Sequence, residues 1–140
     1  AYDGDRVMAV FIGDLKNTRA ARTALKINYA QNEIINPAIK AQYAAEAFQL
    51  RHVVGVDTSP VFVARTGVRG ANDLLWVGRA ANHAAKLSAL SPEYPSRITE
   101  AVYDKMSNDA KLSNGTNMWE RVTWNDMGRT IYRSTWQWGP

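Results

Sequence analysis

The amino-acid sequence predicts an α+β domain in which short strands and helices alternate along the chain. Three observations predict this class. Runs rich in β-branched and aromatic residues recur between turn-forming residues, two longer stretches have helical character, and the C-terminal segment has a strand-turn-strand pattern. Because the chain has 140 residues, of which 46% are hydrophobic, we expect one compact domain over residues 1–140.

The N-terminal part predicts a hairpin followed by a long helix. The acidic turn Asp3-Gly4-Asp5 precedes alternating residues 6–12, which we interpret as the second strand of a hairpin whose first strand is nearly all missing. Asn17 is a candidate cap for a helix over residues 17–36, and Pro37 is expected to end it. The residues expected near one face of this helix, where they would cover a sheet, are Ala20, Ala24, Ile27 and Ile34.

The middle of the chain predicts a second hairpin and a second helix. Residues 49–56 and 61–65 are strand-like and are separated by residues 57–60, which have the composition of a turn. A short apolar strand over residues 74–77 then leads through Gly78 into an alanine-rich helix over residues 79–90. The order strand, glycine, helix places the start of this helix at a strand end.

The C-terminal part predicts a brief strand at residues 97–98, a short helix over residues 100–106 and a polar loop over residues 107–117. Residues 119–124 and 129–138 are rich in Trp, Thr and Tyr and flank a turn at residues 125–128. We interpret them as a final hairpin.

Composition limits the class of partner. The net charge is +4, but the basic residues are scattered, so we do not expect nucleic-acid binding; a modest positive field also suits a nucleoside triphosphate. The chain has no cysteine, which is compatible with a reducing cytoplasm. No signal peptide or membrane span is recognisable, and we expect a cytoplasmic protein without a membrane partner.

Three residues carry the chemistry that the sequence suggests. Asp5 lies on a tight turn, where a carboxylate can hold Mg²⁺ or Mn²⁺ over a phosphate, although spacing alone favours a plain hairpin turn. Asn82 and Lys86 are four residues apart on the predicted helix and therefore share a face. An amide and an ammonium there can contact one phosphate-bearing ligand, although an alanine-packed helix with a polar outer face is the simpler interpretation.

The histidines and tryptophans are less informative. His52 and His83 lack a second ligand at a metal-binding spacing, so we interpret them as packing or surface residues. Trp124, Trp136 and Trp138 are interpreted as core or dimer packing rather than as a stacking platform for bases.

Two segments, YDGDRVMAVF and WVGRAANHAAKL, resemble the catalytic halves of class III nucleotide cyclase domains. The segments AYDGDRVMAVFIGD, INPAIKAQY, VARTGVRGANDLLWVGRAANHAAKLSAL and EYPSRIT are similar to the pyrimidine cyclases of bacterial Pycsar anti-phage systems. The resemblance implies a ferredoxin-like fold, with a mostly antiparallel sheet, helices on one face and an added C-terminal hairpin. This chain would be the C-terminal portion of the catalytic domain.

The resemblance also implies roles for individual residues. The family pattern of Gly, Asn, Ala and Arg is matched by Gly78, Asn82 and Ala84, whereas Lys86 replaces the Arg. Lys keeps the charge but lacks the planar fork that grips phosphate through two bonds, and Arg79 is a candidate to compensate.

The resemblance assigns the substrate-binding positions as well. The two purine-reading positions of the family fall on Ala1 and Leu75, which cannot make polar base contacts, and Trp76 is a further candidate substrate-binding residue. A pocket without both purine readers has either changed its base or lost activity.

The implied reaction converts UTP to 3′,5′-cyclic UMP and pyrophosphate as an anti-phage second messenger. Conversion of CTP to cyclic CMP is the alternative, as is a non-catalytic module that binds a nucleotide or a partner. A ferredoxin-like RNA-binding domain ranks last, because the predicted strands carry Val, Ile and Ala rather than exposed aromatic residues.

The implied assembly is a head-to-tail homodimer. Asp5 of one subunit would face Asn82 and Lys86 of the other, over a two-metal site of Mg²⁺ or Mn²⁺. The second metal-binding aspartate of the family is expected outside this chain, in a missing N-terminal segment or a separate chain.

Overall fold

The computed structural model describes residues 2–3, 5–45, 48–66 and 73–139. Among these residues the α-helices are α1 (Lys16–Ala30), α2 (Asn36–Gln42), α3 (Arg79–Ser88), α4 (Glu100–Lys105) and α5 (Asn108–Lys111). The strands are β1 (Tyr2–Asp3), β2 (Arg6–Val7), β3 (Val54–Val56), β4 (Phe62–Thr66), β5 (Asp73–Val77), β6 (Ser96–Thr99), β7 (Leu112–Ser113), β8 (Thr116–Asn117), β9 (Glu120–Trp124) and β10 (Arg129–Ser134). The predicted α+β class is confirmed. Within the described ranges, no helix is long and apolar enough to cross a lipid bilayer.

A four-stranded mixed sheet forms the centre, in the order β3-β6-β10-β9. β3 runs parallel to β6, and the other two pairings are antiparallel. The predicted C-terminal hairpin is confirmed as β9 and β10, with Ile131 opposite Val122. Because β6 lies between β3 and β10, the sheet joins the middle of the chain to its C-terminal part.

The two faces of this sheet are covered by different helices. Tyr132 of β10 packs against a core cluster that contains Leu25 of α1, whereas its neighbour Ile131 packs with Leu87 of α3. Because successive strand residues point to opposite faces, α1 and α3 lie on opposite sides of the sheet. The prediction of helices on one face is therefore wrong. Gly55 of β3 has no side chain, which leaves room for α3 to pack closely on the second face.

The long N-terminal helix differs from its prediction at both ends. Leu15, not Asn17, is the residue that precedes α1, and Asn17 is buried within the first turn. Pro37 does not end the helical segment, because a π-helical turn over Gln31–Ile35 precedes it and α2 continues beyond it. The wider π turn removes the clash that a proline ring makes with the carbonyl one α-helical turn earlier.

The buried side of α1 is also shifted from the predicted face. Ala20 and Ala24 are buried as expected, but Ile27 and Ile34 are exposed. The remaining buried positions of α1 are Asn17, Thr18, Ala21, Leu25 and Asn28. Small and polar residues thus take part of the contact with the sheet, which a hydrophobicity pattern cannot detect.

The hairpin predicted from residues 49–56 and 61–65 is wrong. β3 instead pairs with β6, and β4 pairs in antiparallel fashion with β5, so that Phe62 lies opposite Val77. The predicted strand over residues 6–12 is confirmed only at Arg6–Val7, which pairs with Tyr2–Asp3. Local composition identified these strands but not their partners.

Residues 107–117 are not the predicted polar loop. They contain α5 and the small hairpin of β7 and β8. Ala110 is buried, and its carbonyl oxygen accepts a 2.8 Å hydrogen bond from the indole Nε1 of Trp119. This segment closes the end of the core beneath α1 and α4, where Trp119 also packs.

Candidate functional site

The helix α3 presents the two candidate catalytic side chains to solvent. It begins at Arg79, as the sequence predicts, and its buried residues are His83 and Leu87. Asn82 and Lys86 are both exposed. Since residues four apart lie one above the other on a helix, a ligand on this face can contact both.

The start of α3 is fixed by the loop that follows β3. Gly78 precedes the helix and has no side chain with which to cap it, and the Ser59 hydroxyl instead accepts a 3.0 Å hydrogen bond from the backbone N–H of Ala80. A Cβ at Gly78 would lie 2.8 Å from Val61 Cγ1, so a larger residue would force the loop and the helix apart. The loop therefore substitutes for a local N-cap.

Asp57 lies at the centre of this junction. Its side chain is only 1% exposed. Oδ1 accepts hydrogen bonds from the backbone N–H of Thr58, at 2.8 Å, and from the Thr99 hydroxyl, at 2.6 Å. These two bonds fix the carboxylate to the ends of β3 and β6.

The other carboxylate oxygen faces α3. Asp57 Oδ2 lies 3.1 Å from His83 Nδ1 and 3.7 Å from Arg79 Nε. Within the described part of the chain Oδ2 accepts no hydrogen bond of good geometry, and its contact with the Arg79 guanidinium is electrostatic. Arg79 Nη2 also donates a 3.0 Å hydrogen bond to the Thr58 carbonyl oxygen. Arg79, the predicted compensating cation, is thus half-exposed and is held by the Thr58 carbonyl oxygen and the Asp57 carboxylate.

A cavity of about 370 Å³ opens beside this junction. The side chains that line it include Asp57, Arg79, His83, Trp124 and Arg129. The His83 ring meets Trp124 edge-on, with 5.7 Å between ring centroids, which confirms the interpretation of both residues as packing residues.

The other predicted residues lie elsewhere. Asp5 is exposed on the hairpin of β1 and β2, and among the described residues no hydrogen bond or ion pair joins it to Asn82 or Lys86. Ala1 lies outside the described residues. Leu75 and Trp76 lie in β5, opposite Ala64 and Val63, and their side chains are outside the described part of the structure.

Asp5 by itself does not complete a metal site. Mg²⁺ takes near-octahedral oxygen coordination, commonly with more than one anionic ligand from protein and substrate. Within the described ranges, no three His, Asp or Glu side chains come together in a way that could hold a metal ion. The residues that the structure describes therefore do not form a metal site on their own.

Asp57 and Thr99 were missed by reasoning from the sequence. Residues 57–60 have the composition of a turn, and the one signal in the sequence that points to Asp57 is a carboxylate directly after an apolar strand. Thr99 could not be identified, because its link to Asp57 joins residues 42 positions apart.

Comparison with known proteins found relatives that are named uridylate cyclases. No family model matches the chain. The chain is 60% identical over 139 residues to a uridylate cyclase of Xanthomonas perforans, and the match covers 99% of the chain and 60% of the relative.

The chain is similar to uridylate cyclases over almost its whole length. A uridylate cyclase of Burkholderia cepacia is 57% identical, covering 99% of the chain and 59% of that protein. One of Rhodovulum sp. (strain MB263) is 41% identical, covering 97% of the chain and 60% of that protein. The predicted resemblance to pyrimidine cyclases is thus confirmed, and the chain spans about three fifths of the length of these relatives.

Proposed function

We propose that the chain is part of a nucleotide cyclase that converts UTP to 3′,5′-cyclic UMP and pyrophosphate. The observation that carries the proposal is the 60% identity to a uridylate cyclase over 99% of the chain. The exposed pair Asn82 and Lys86 on α3 supports it, because both side chains are free to meet a ligand. The fold that we propose with this function is a cyclase domain of ferredoxin-like strand order, of which this chain is the C-terminal portion.

In the proposed reaction the ribose 3′-hydroxyl oxygen bonds to the α-phosphorus. The bond from that phosphorus to the β-phosphate oxygen breaks, pyrophosphate leaves, and the hydroxyl proton passes to solvent. Asn82 would hold a ribose or phosphate oxygen through its amide, and the Lys86 ammonium would stabilise the charge that builds on the five-coordinate phosphorus. Arg79, anchored to the Thr58 carbonyl oxygen, would add a second positive charge.

The base would be read without the purine-specific contacts of the wider family. Ala1 and Leu75 offer no polar group for a purine edge, and Trp76 follows directly in the same strand. Cyclic CMP formation from CTP is the competing outcome. The names of the three relatives, all uridylate cyclases, favour uracil.

Asp5 would supply one ligand to Mg²⁺ or Mn²⁺, a cation that neutralises triphosphate charge when bound. The other protein ligand would come from outside this chain. A head-to-tail homodimer would bring Asp5 of one subunit to Asn82 and Lys86 of its partner, and cyclic UMP would act as a cytoplasmic anti-phage signal. The exposure of Asp5, Asn82 and Lys86 is compatible with such a composite site.

The first experiment incubates the full-length protein with each of the four NTPs and Mg²⁺ or Mn²⁺. Mass spectrometry should detect cyclic UMP, with pyrophosphate in equal amount. Lys86→Ala should lower turnover by about 10²–10³-fold, as expected for loss of a group that stabilises transition-state charge. The matched control is Lys105→Ala, at an exposed lysine in the last turn of α4, which should keep wild-type turnover. NTP binding without any product would instead favour the non-catalytic module.

The second experiment tests the composite site by mixing Asp5→Ala and Asn82→Ala proteins, each of which should keep only a small residual activity of its own. Mixed dimers would each hold one intact site, so random mixing should restore about a quarter of wild-type activity. Mixing Asp5→Ala with the double variant Asp5→Ala/Asn82→Ala should restore none. Equal activity in the two mixtures would count against sites shared between subunits.

A further inference from the structure

We infer that Asp57 is a positioning residue for cyclisation, which sets the rotation of α3 and thereby aims Asn82 and Lys86 at the substrate. This inference rests on the proposed function. Asp57 lies at the end of β3, and it contacts the helix rather than the solvent. Its role would be to act through the exposed residues of α3 without touching the nucleotide.

The carboxylate is held rigidly on the sheet side. Oδ1 is fixed by the Thr58 N–H and by the Thr99 hydroxyl, which belongs to the next strand. Thr99 lies in β6, and β6 is paired on both sides within the sheet. A carboxylate that is hydrogen-bonded to two adjacent strands has little rotational freedom, so the position of its second oxygen relative to the helix is well defined.

On the helix side, the contacts fall on the first two turns. Oδ2 lies 3.1 Å from His83 Nδ1 and 3.7 Å from Arg79 Nε, one helical turn apart. Ser59 and the Thr58 carbonyl oxygen hold the same end of α3 through Ala80 and Arg79. Two contacts one turn apart on the same side of a helix restrain both its rotation about its own axis and its tilt against the sheet.

The rotation of α3 decides where the catalytic candidates point. His83 follows Asn82 directly, so their side chains leave the helix about 100° apart. Arg79 and Lys86 project between or beside them on the same side. A turn of the helix that releases His83 from Asp57 therefore moves Asn82 and Lys86 by a similar angle.

An apolar contact, and not Asp57, holds α3 against the sheet. Asp57 therefore affects the alignment of α3 rather than its attachment. Leu87 is buried, and α3 packs directly over Gly55 of β3. The apolar contact holds the later part of the helix against the sheet even when the contacts with Asp57 are lost. We therefore expect loss of the Asp57 charge to misalign the start of α3 while the domain stays folded.

The test compares Asp57→Asn with wild type in the full-length protein, using UTP and Mn²⁺. The amide oxygen of Asn can still accept from Thr58 and Thr99, but the charge that faces His83 and Arg79 is lost. We expect kcat to fall by about 10–100-fold, with KM within about twofold, because small misplacements of reacting groups have effects of this size. Asp57→Glu, which keeps the charge, should recover part of kcat if its longer chain reaches α3.

A double-mutant cycle separates positioning from a general loss of stability. If Asp57 acts through Asn82, Asp57→Asn should reduce kcat little further in an Asn82→Ala background. Independent effects would multiply, and that result would overturn the inference. The stability control is Thr18→Ala in α1. The Thr18 hydroxyl accepts a 2.8 Å hydrogen bond from the Ser107 N–H, and this bond is lost in the variant. The variant should keep wild-type kcat at a temperature where the protein is folded.

Thr99→Val provides a second variant in case Asp57→Asn does not fold. It removes the 2.6 Å hydrogen bond to Oδ1 while keeping side-chain shape, and it should lower kcat in the same non-additive manner with Asn82→Ala. Wild-type kcat in a folded Asp57→Asn or Thr99→Val protein would overturn the inference and leave the proposed function intact. A wild-type protein that forms no cyclic nucleotide would instead remove the proposed function itself.

Discussion

Gly55 of β3 lies so close beneath Leu87 of α3 that a Cβ on residue 55 would be 2.7 Å from Leu87 Cβ. It would also be 2.9 Å from the backbone nitrogen of Ser88, which cannot move independently of the helix. This contact lies in the later part of α3, whose first residues lie beside Asp57. The absence of a side chain at residue 55 therefore lets the helix that carries Asn82 and Lys86 pack directly on β3.

Gly55→Ala is expected to destabilise the protein by about 1–3 kcal/mol, because the added methyl group overpacks the contact between β3 and α3. Urea denaturation monitored by tryptophan fluorescence measures the change. Gly139→Ala is the matched control, since its Cβ would meet Tyr29 at an ordinary 3.6 Å, and it should change stability by less than about 0.5 kcal/mol. Equal effects of the two substitutions would show that α3 can move away from the sheet.

Leu25→Ala should reduce the free energy of unfolding by about 2–5 kcal/mol, because it opens a cavity in the core between α1 and the sheet. Leu25 is fully buried and packs in the cluster with Ile98 and Val102. Ile27→Ala on the same helix removes a side chain that is 40% exposed and should have a much smaller effect. The comparison is made by thermal and urea denaturation; a larger loss at Ile27 would contradict the observed face of α1.

Asn28→Ala should release the C-terminal residues that follow β10. The buried Asn28 amide donates to the carbonyl oxygens of Thr135, at 3.1 Å, and Trp136, at 2.9 Å. Loss of both bonds is expected to cost about 1–3 kcal/mol, since the two carbonyls lose their partner. Limited proteolysis should cleave the variant after residue 134 faster than wild type. Gln42→Ala, at an exposed position in α2, should leave the cleavage rate unchanged.

Acidification should destabilise the protein through His52. Burial lowers the pKa of His52 from its ordinary value of 6.5. Nδ1 contacts Gln31 Oε1, and among the described residues Nε2 has no hydrogen-bond partner. As the pH falls below about 6.5, the unfolded chain takes up a proton before the folded protein does, so stability decreases until the lower folded pKa is passed.

His52→Gln removes this titration and should flatten the pH dependence between pH 7 and pH 5. Denaturation midpoints measured at several pH values in both proteins provide the comparison. Above pH 7 the two slopes should agree, because the imidazole is then neutral in the folded and unfolded states. Parallel curves down to pH 5 would exclude His52 as the responsible group.

The sequence determined the features that depend on consecutive residues. The alanine-rich helix after Gly78, with Asn82 and Lys86 on one exposed side, follows from helical periodicity and is observed as α3. The hairpin of β9 and β10 follows from two β-rich runs joined by a short turn. These elements depend on residues that are close in the sequence, so residue propensity and spacing are sufficient to predict them.

Only the tertiary structure decided which strands pair and which side chains support α3. β3 pairs with β6 across about 40 residues, and Asp57 gains Thr99 as a partner only through that pairing. The π-helical turn before Pro37 and the buried polar face of α1 were likewise not readable from hydrophobic spacing. The physical reason is that strand pairing and helix placement depend on packing among residues that are distant in the sequence, and a local pattern does not show which of these residues meet.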